Sequence, residues 1–211
     1  MRLTKYDHAA LTLEEGGERL VIDPGKFTEP FEVADTVAVV VTHLHDDHWT
    51  PEHLDRIRAA NPDVRLFGPA GVATAASAYP FEVVAPGDSI TVGAFTLRFF
   101  GGEHAVIHRS VPVIDNVGVL VNDRVYYPGD SYALPDAPGV PLLVAPAGAP
   151  WLKIGDAIDF VLAAAPMRTI PTHWATLSDA GRQMAYGRLQ WATEQGGGEF
   201  IALAAGDSLE L

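Results

Sequence analysis

The chain has 211 residues, 48% of them hydrophobic, with 20 Gly and 16 Pro. That composition predicts one compact, turn-rich domain and excludes a disordered chain. A formal net charge of −13 opposes binding to phosphate backbones, an affinity that comes from Lys and Arg releasing counterions, so no nucleic-acid partner is expected.

Cys is absent, which excludes disulfides and thiolate ligands and leaves nitrogen and oxygen to hold any metal. The N-terminus lacks the charged-then-apolar layout of a signal peptide, and no run of about 18 apolar residues is present to span a bilayer. Cytoplasmic residence and no membrane partner are the expectations.

Leu3 to Leu13 reads as a first strand and Glu18 to Ile22 as a second, with Glu15-Gly16-Gly17 as the turn between them. Asp23-Pro24-Gly25 ends the second strand. Asp23 either shapes that turn or, as an acid at a strand's carboxyl end, hydrogen-bonds a metal ligand from behind. The β-branched run from Thr36 to Val41 predicts a buried central strand, delivering His43, His45, Asp47 and His48 on its carboxyl-end loop. That is where open α/β sheets place their chemistry. His43 and His45 are two residues apart and leave an extended segment on one face, so they converge on one ion; Asp47 and His48, beyond the turn, serve a second.

Thr50-Pro51-Glu52 carries helix start signals, predicting a helix over Pro51 to Ala60 whose positive end lies beside the ligands and favours an anion or hydroxide there. His53, inside its first turn, reads as a surface or packing histidine. Val64 to Gly68 is a short strand, Pro69 to Ala78 a helix by propensity, and Phe81 to Ala85, Ser89 to Val92 and Phe95 to Phe100 are strands. The last runs into Gly101-Gly102-Glu103-His104, making His104 the third nitrogen ligand, while His108 is either a loop histidine or a substrate contact. Asn116 to Val121 and Arg124 to Tyr127 flank a tight Asn122-Asp123 turn, and Pro128-Gly129-Asp130-Ser131 then presents a carboxylate able to bridge two cations.

Leu142 to Ala145 is a buried strand. Ile154, Ile158, Val161, Leu162 and Ala165 mark an amphipathic helix that Pro166 ends. Met167 to Thr172 is a strand with His173-Trp174 at its end; a helix over Asp179 to Gln195 and a strand from Phe200 to Leu203 complete the chain. Two clusters of strands, each followed by helices, predict an α/β architecture of two stacked sheets with helices outside.

His43-x-His45-x-Asp47-His48, then His104, Asp130 in Tyr-Pro-Gly-Asp-Ser and His173 in Pro-Thr-His-Trp resemble, in order, the dinuclear metal motifs of the metallo-β-lactamase superfamily. Asp23 matches that superfamily's first motif. The resemblance implies a four-layer αβ/βα sandwich with metals in the cleft between sheet edges. It implies that His43, His45 and His104 hold one ion, that Asp47, His48 and His173 hold the other, and that Asp130 bridges them. Tyr6-Asp7-His8-Ala9, Ile22-Asp23-Pro24 and Ile170-Pro171-Thr172-His173 are similar to the branch related to ascorbate-6-phosphate lactonases. His45 departs from the H-x-E-x-D pattern of flavodiiron members, which favours hydrolysis over redox chemistry.

Zinc suits this nitrogen-rich set, with manganese or iron as substitutes. The expected function is hydrolysis of an ester, lactone or phosphoester bond in a small-molecule substrate by a metal-activated hydroxide, with Asp47 and Asp130 at the reacting centre. Trp49, His108, Trp151, Lys153 and Trp174 lie in the ligand loops and are expected pocket walls, Lys153 as a point charge for a substrate phosphate. Two alternatives keep the metals: a phosphodiesterase of the phospholipase-D-like type, and a ligand-sensing protein without turnover. Oligomeric state is left open.

Overall fold

A computed structural model describes residues 1–211. Its first element departs from expectation: Leu3 to Leu13 is two antiparallel strands, β1 (Arg2–Lys5) and β2 (Leu11–Glu15), with Leu3 opposite Leu13. The chain reverses where Tyr6 N–H donates to the Ala10 carbonyl at 2.9 Å and His8 takes a left-handed φ of 58°. No Gly or Pro announces this turn, because contacts with a distant part of the chain hold it.

From there β3 (Glu18–Ile22) pairs antiparallel with β2, and β4 (Thr36–Val40), β5 (Arg65–Gly68) and β6 (Phe81–Val83) follow in parallel. The second sheet holds β7 (Ser89–Val92), β8 (Phe95–Glu103), β9 (Asp115–Val121), β10 (Val125–Tyr127), β11 (Leu142–Pro146), β12 (Arg168–Thr172) and β13 (Glu199–Phe200). The strand expected over Phe200 to Leu203 stops at Phe200: the chain then crosses to the first sheet, where β14 (Ser208–Glu210) pairs with β1. Lys5 draws this crossing in, its ammonium donating to the Leu203 carbonyl at 3.1 Å. Each sheet has seven strands, in the orders β14-β1-β2-β3-β4-β5-β6 and β13-β12-β11-β10-β9-β8-β7.

Strand alternation decides the layers. Leu20, Ile22, Ala38 and Val40 point inward to meet Leu97, Phe99, Val119, Tyr127 and Val144 of the other sheet. Their neighbours Val21, Val39 and Val41 point outward onto Leu54 and Ile57 of α1 (Pro51–Ala60). Leu120, Tyr126 and Leu143 likewise face α3 (Ile154–Ala164) and α4 (Asp179–Gln195), through Phe160, Val161, Ala185 and Leu189. The result is an α/β sandwich with helices on both outer faces. Truncating an inner residue such as Phe99 to Ala costs about 3–5 kcal/mol. The second helix in chain order, α2 (Ala70–Ala75), is shorter than the expected Pro69 to Ala78 and has no side-chain cap. No helix is long and apolar enough to cross a membrane.

Candidate metal centre

Five strands point their carboxyl ends at one edge of the sandwich. Asp23 follows β3, the histidine cluster follows β4, His104 follows β8, Asp130 stands three residues beyond β10, and His173 follows β12. Close approach of the loops is a sequence requirement. A Cβ on Gly25 would collide with the Asp47 carbonyl, and one on Gly129, at φ 62°, would strike Asn116 and Thr42. Asp23 and His173 are themselves left-handed, at φ 48° and 55°. Such backbone costs on the order of 1–3 kcal/mol and persists where surrounding contacts over-determine it.

Those contacts orient the imidazoles. Asp23, fully buried, accepts from Thr42 N–H at 2.8 Å, from the Thr42 hydroxyl at 2.7 Å and from His48 Nδ1–H at 2.6 Å. With its own proton given to Asp23, the Thr42 hydroxyl accepts from His43 Nδ1–H at 3.1 Å. His104 Nδ1–H donates to the Ala105 carbonyl at 2.6 Å, and His173 Nδ1–H to the Gly148 carbonyl at 2.8 Å. With the Nδ1 protons tied outward, the Nε2 atoms of His43, His48, His104 and His173 turn inward.

They converge on Asp130. Its Oδ2 lies 3.8 Å from His43, 3.4 Å from His104 and 3.1 Å from His173, and its Oδ1 lies 3.2 Å from His48, all measured to Nε2. Yet Nε2 of His48, His104 and His173 and Oδ1 of Asp130 are buried without a hydrogen-bond partner. Buried ring nitrogens and a carboxylate oxygen facing one another without hydrogen-bond partners are what a cation-binding site provides and what a packed core avoids. His45 completes the set, its Nδ1 3.0 Å from His43 Nε2. Two nitrogens each ~2.0–2.1 Å from one tetrahedral ion lie roughly 3.3 Å apart, so the spacings suit shared coordination. Two groups of ligand atoms emerge, each lying within 4.8 Å: His43, His45, His104 and Asp130; and His8, Asp47, His48 and His173. The residues present fit a pair of divalent cations.

Electrostatics differ across the centre. Burial, reinforced by neighbouring His48, holds the His43 pKa well below the ordinary imidazole range, and burial with His104 lowers His45. Burial also opposes charge on His48 and His173, but carboxylates outweigh it: Asp130 and Asp23 hold His48 well above its usual value, and Asp130 raises His173 to about 9. For Asp130 burial favours the neutral acid, yet His48 and His173 keep its pKa well below the carboxylate range. Asp47 is likewise held down against burial by His173 and His8.

The expected pocket walls separate. Trp151 is buried against the centre and donates from Nε1 to Asp130 Oδ2 at 2.8 Å. Trp49 instead donates to the Leu44 carbonyl at 3.0 Å and packs edge-on to Tyr79. Trp174 lies between Lys5 and Arg182, their charged groups 5.2 and 4.9 Å from its ring. Lys153 pairs with Asp156 at 3.1 Å and is 77% exposed, and His108 is exposed and bonded to Ser110. His53 is buried, with Nε2 3.0 Å from the Thr28 carbonyl.

Two contributors were given no site role in the sequence reading. Asn116, fully buried, accepts from Asp130 N–H at 3.0 Å and donates to the Pro128 carbonyl at 2.9 Å, stapling the Asp130 turn. His8, also fully buried, places Nε2 3.1 Å from Asp47 Oδ2. Asn116 carries no signal that distinguishes it from a strand residue; His8 sits in a stretch that reads as continuous strand.

A family model described as a beta-lactamase superfamily domain matches residues 2–173, from β1 through the last histidine of the centre. Protein Rv0786c of Mycobacterium tuberculosis is 39% identical over 196 residues, 90% of this chain and 91% of that one. A UPF0173 metal-dependent hydrolase of Aeropyrum pernix is 31% identical over 150 residues, covering 62% of this chain and 61% of its own. Among solved structures, Igni18, a metallo hydrolase from Ignicoccus hospitalis, aligns with a TM-score of 0.72 over 100% of this chain and 98% of its own at 18% identity, a likeness of fold. The matched span agrees with the sandwich and takes in every residue of its edge: the chain belongs to the beta-lactamase superfamily.

Proposed function

We propose that the protein is a metal-dependent hydrolase acting on an ester, lactone or phosphoester bond of a small molecule. The observation that carries this reading is the set of buried, unpartnered Nε2 atoms of His48, His104 and His173 around the unpartnered Oδ1 of Asp130. In the proposal His43, His45 and His104 hold one divalent cation, Asp47, His48 and His173 hold a second, and Asp130 faces both. Such ions would lower the pKa of a water toward neutrality and polarise the bond to be cleaved. Zinc suits the nitrogen-rich set, and manganese or iron is compatible with its carboxylates.

The chain's own residues do the rest. The Nδ1 partners fix each ring's tautomer and orientation before any ion arrives, which limits reorganisation. Asp47 and His45 are the half-exposed members of the two groups, so substrate and water reach the centre past them. Asp47 orients the attacking water by accepting its hydrogen bond, and Trp151 closes the wall behind Asp130. The name of the Aeropyrum relative, a metal-dependent hydrolase, supports the same reading.

The test is metal analysis of the purified protein together with parallel assays on a lactone series, carboxylic esters and bis-p-nitrophenyl phosphate. The expected result is about two equivalents of bound metal and turnover of one substrate class that chelation abolishes. Turnover of the phosphodiester alone would favour the phospholipase-D-like alternative, and stoichiometric metal without turnover a sensing role. Less than one equivalent of metal, with no turnover after metal supplementation, would overturn the proposal.

A further inference from the structure

His8 is grouped by position with Asp47, His48 and His173 as an additional ligand atom. Its hydrogen bonds argue for another role. The backbone N–H of Ala175 donates to His8 Nδ1 at 3.2 Å. A backbone amide nitrogen cannot accept, so this contact requires an unprotonated Nδ1 and places the ring proton on Nε2. That proton points at Asp47 Oδ2, 3.1 Å away. An imidazole whose Nε2 carries a proton has no lone pair there for a metal.

His8 also reaches the histidine beside it. Its carbonyl accepts from His173 N–H at 2.8 Å and from the Thr172 hydroxyl at 2.7 Å, and its ring packs on the His173 ring at a centroid distance of 3.9 Å. Phe27 covers the ring edge-on at 5.0 Å, and no part of His8 is exposed. The left-handed φ of 58° lets carbonyl and ring face the same neighbour. A non-glycine residue in that region marks a position held by its surroundings for a reason other than local preference.

We propose that His8 is a positioning residue of the second cation site, a neutral imidazole whose Nε2–H fixes the Asp47 carboxylate while its carbonyl and ring fix His173. The inference rests on the metal-centre reading above. A neutral donor orients Asp47 without cancelling its charge, so the carboxylate keeps its attraction for a cation. One residue of the β1–β2 turn thereby ties the loop after β4 to the end of β12, across the two sheets.

The test compares His8→Ala, His8→Gln and His8→Asn by stepwise metal titration of the metal-free protein and by imidazole nitrogen NMR of the wild type. The Gln amide nitrogen can take the place of Nε2–H, whereas the Asn carbonyl replaces only Nδ1. His8→Ala and His8→Asn are expected to bind one equivalent as the wild type does and the second ~10–100-fold more weakly, with His8→Gln restoring most of the loss. The His8 signals are expected to show a proton on Nε2 with and without metal. Loss of the Nε2 proton on loading, with no rescue by Gln, would make His8 a ligand and overturn the proposal; equal weakening of both equivalents in all variants would reduce it to a folding residue. If the wild type binds no metal, the metal-centre reading fails separately, and the NMR tautomer still decides whether the clamp on Asp47 exists.

Discussion

His43 and His48 are both fully buried, and their ring centroids stand 4.0 Å apart, yet they are driven in opposite directions. Burial disfavours the charged ring in each. His43 Nδ1–H meets only the Thr42 hydroxyl and lies beside His48, so its pKa stays well below the ordinary range. His48 has Asp130 on one side and gives its Nδ1–H to Asp23 on the other, and two carboxylates more than offset burial. The same division runs through the centre: His43 and His45 lean toward the neutral form, His48 and His173 toward the charged one. Placement of carboxylates, more than depth, decides what each imidazole offers. In the metal-free protein one cluster presents lone pairs and the other holds protons that a cation must displace.

Asp130→Asn tests what the clusters share. Because its two oxygens face rings of both, both metal equivalents should weaken, and hydrolysis should fall by more than the ~10–100-fold that loss of an outer partner costs. Retention of either equivalent at wild-type affinity would show that Asp130 does not join the sites. Asp23→Asn tests what they share unequally. An amide has one acceptor oxygen where three donors now converge, so His48 loses its fixed orientation and the second equivalent should bind ~10–100-fold more weakly. Calorimetric titration should show a smaller loss at the first equivalent, which Asp23 reaches only through the Thr42 hydroxyl on His43.

Protons sharpen the contrast further. The His173 pKa is raised to about 9, so below that pH its ring is charged and binding a cation releases a proton; above it the ring is already a ligand. Affinity for the second equivalent should therefore rise with pH, by about tenfold per unit for each displaced proton, since His48 carries one as well, and the His173 share of that rise should end above about pH 9. His43 and His45 lose their protons below the usual imidazole range, so the first equivalent should vary little above neutrality. Titrations in metal buffers at several pH values, with proton release read from a weakly buffered indicator, would show two different slopes. Equal slopes would remove the distinction.

Much of this centre is legible in sequence because its parts are local. His43 to His48 follow a β-branched run, His104 follows a glycine pair, and Asp130 and His173 close strands, so each is a residue type at a chain position whose backbone direction is known. The stacked sheets are legible for the same reason: Val39 and Val40 alternate between two apolar faces. His8 is not, because the β1–β2 turn is held by Thr172, His173 and Ala175 from the other sheet, and no local propensity reports a contact over that separation. Trp174 and Lys153 mislead in the opposite way. Each neighbours a site loop along the chain, but Trp174 turns to Lys5 and Arg182 and Lys153 to Asp156. The C-terminal crossing to β14 escaped because the Gly206-Asp207-Ser208 turn marks a reversal without telling which sheet receives the strand beyond it.

Trp151 offers the smallest and most discriminating test, because it touches both sides at once. Its indole lies near His104 at a centroid distance of 5.7 Å and near His173 at 6.1 Å, and its N–H holds the Asp130 oxygen that faces both rings. Trp151→Phe keeps most of the apolar wall and removes that donor. A hydrogen bond to a charged acceptor contributes about 1.5 kcal/mol at the lower end of its range, roughly tenfold in an equilibrium. If the donor acts only by holding Asp130, both metal equivalents should weaken by similar factors of up to roughly tenfold, unlike the unequal effect of Asp23→Asn. In the wild type, metal loading should also change Trp151 fluorescence, and the difference signal should vanish in the Phe variant. A loss confined to one equivalent would mean that the two oxygens of Asp130 act independently, and the two clusters would then be neighbours without a shared anchor.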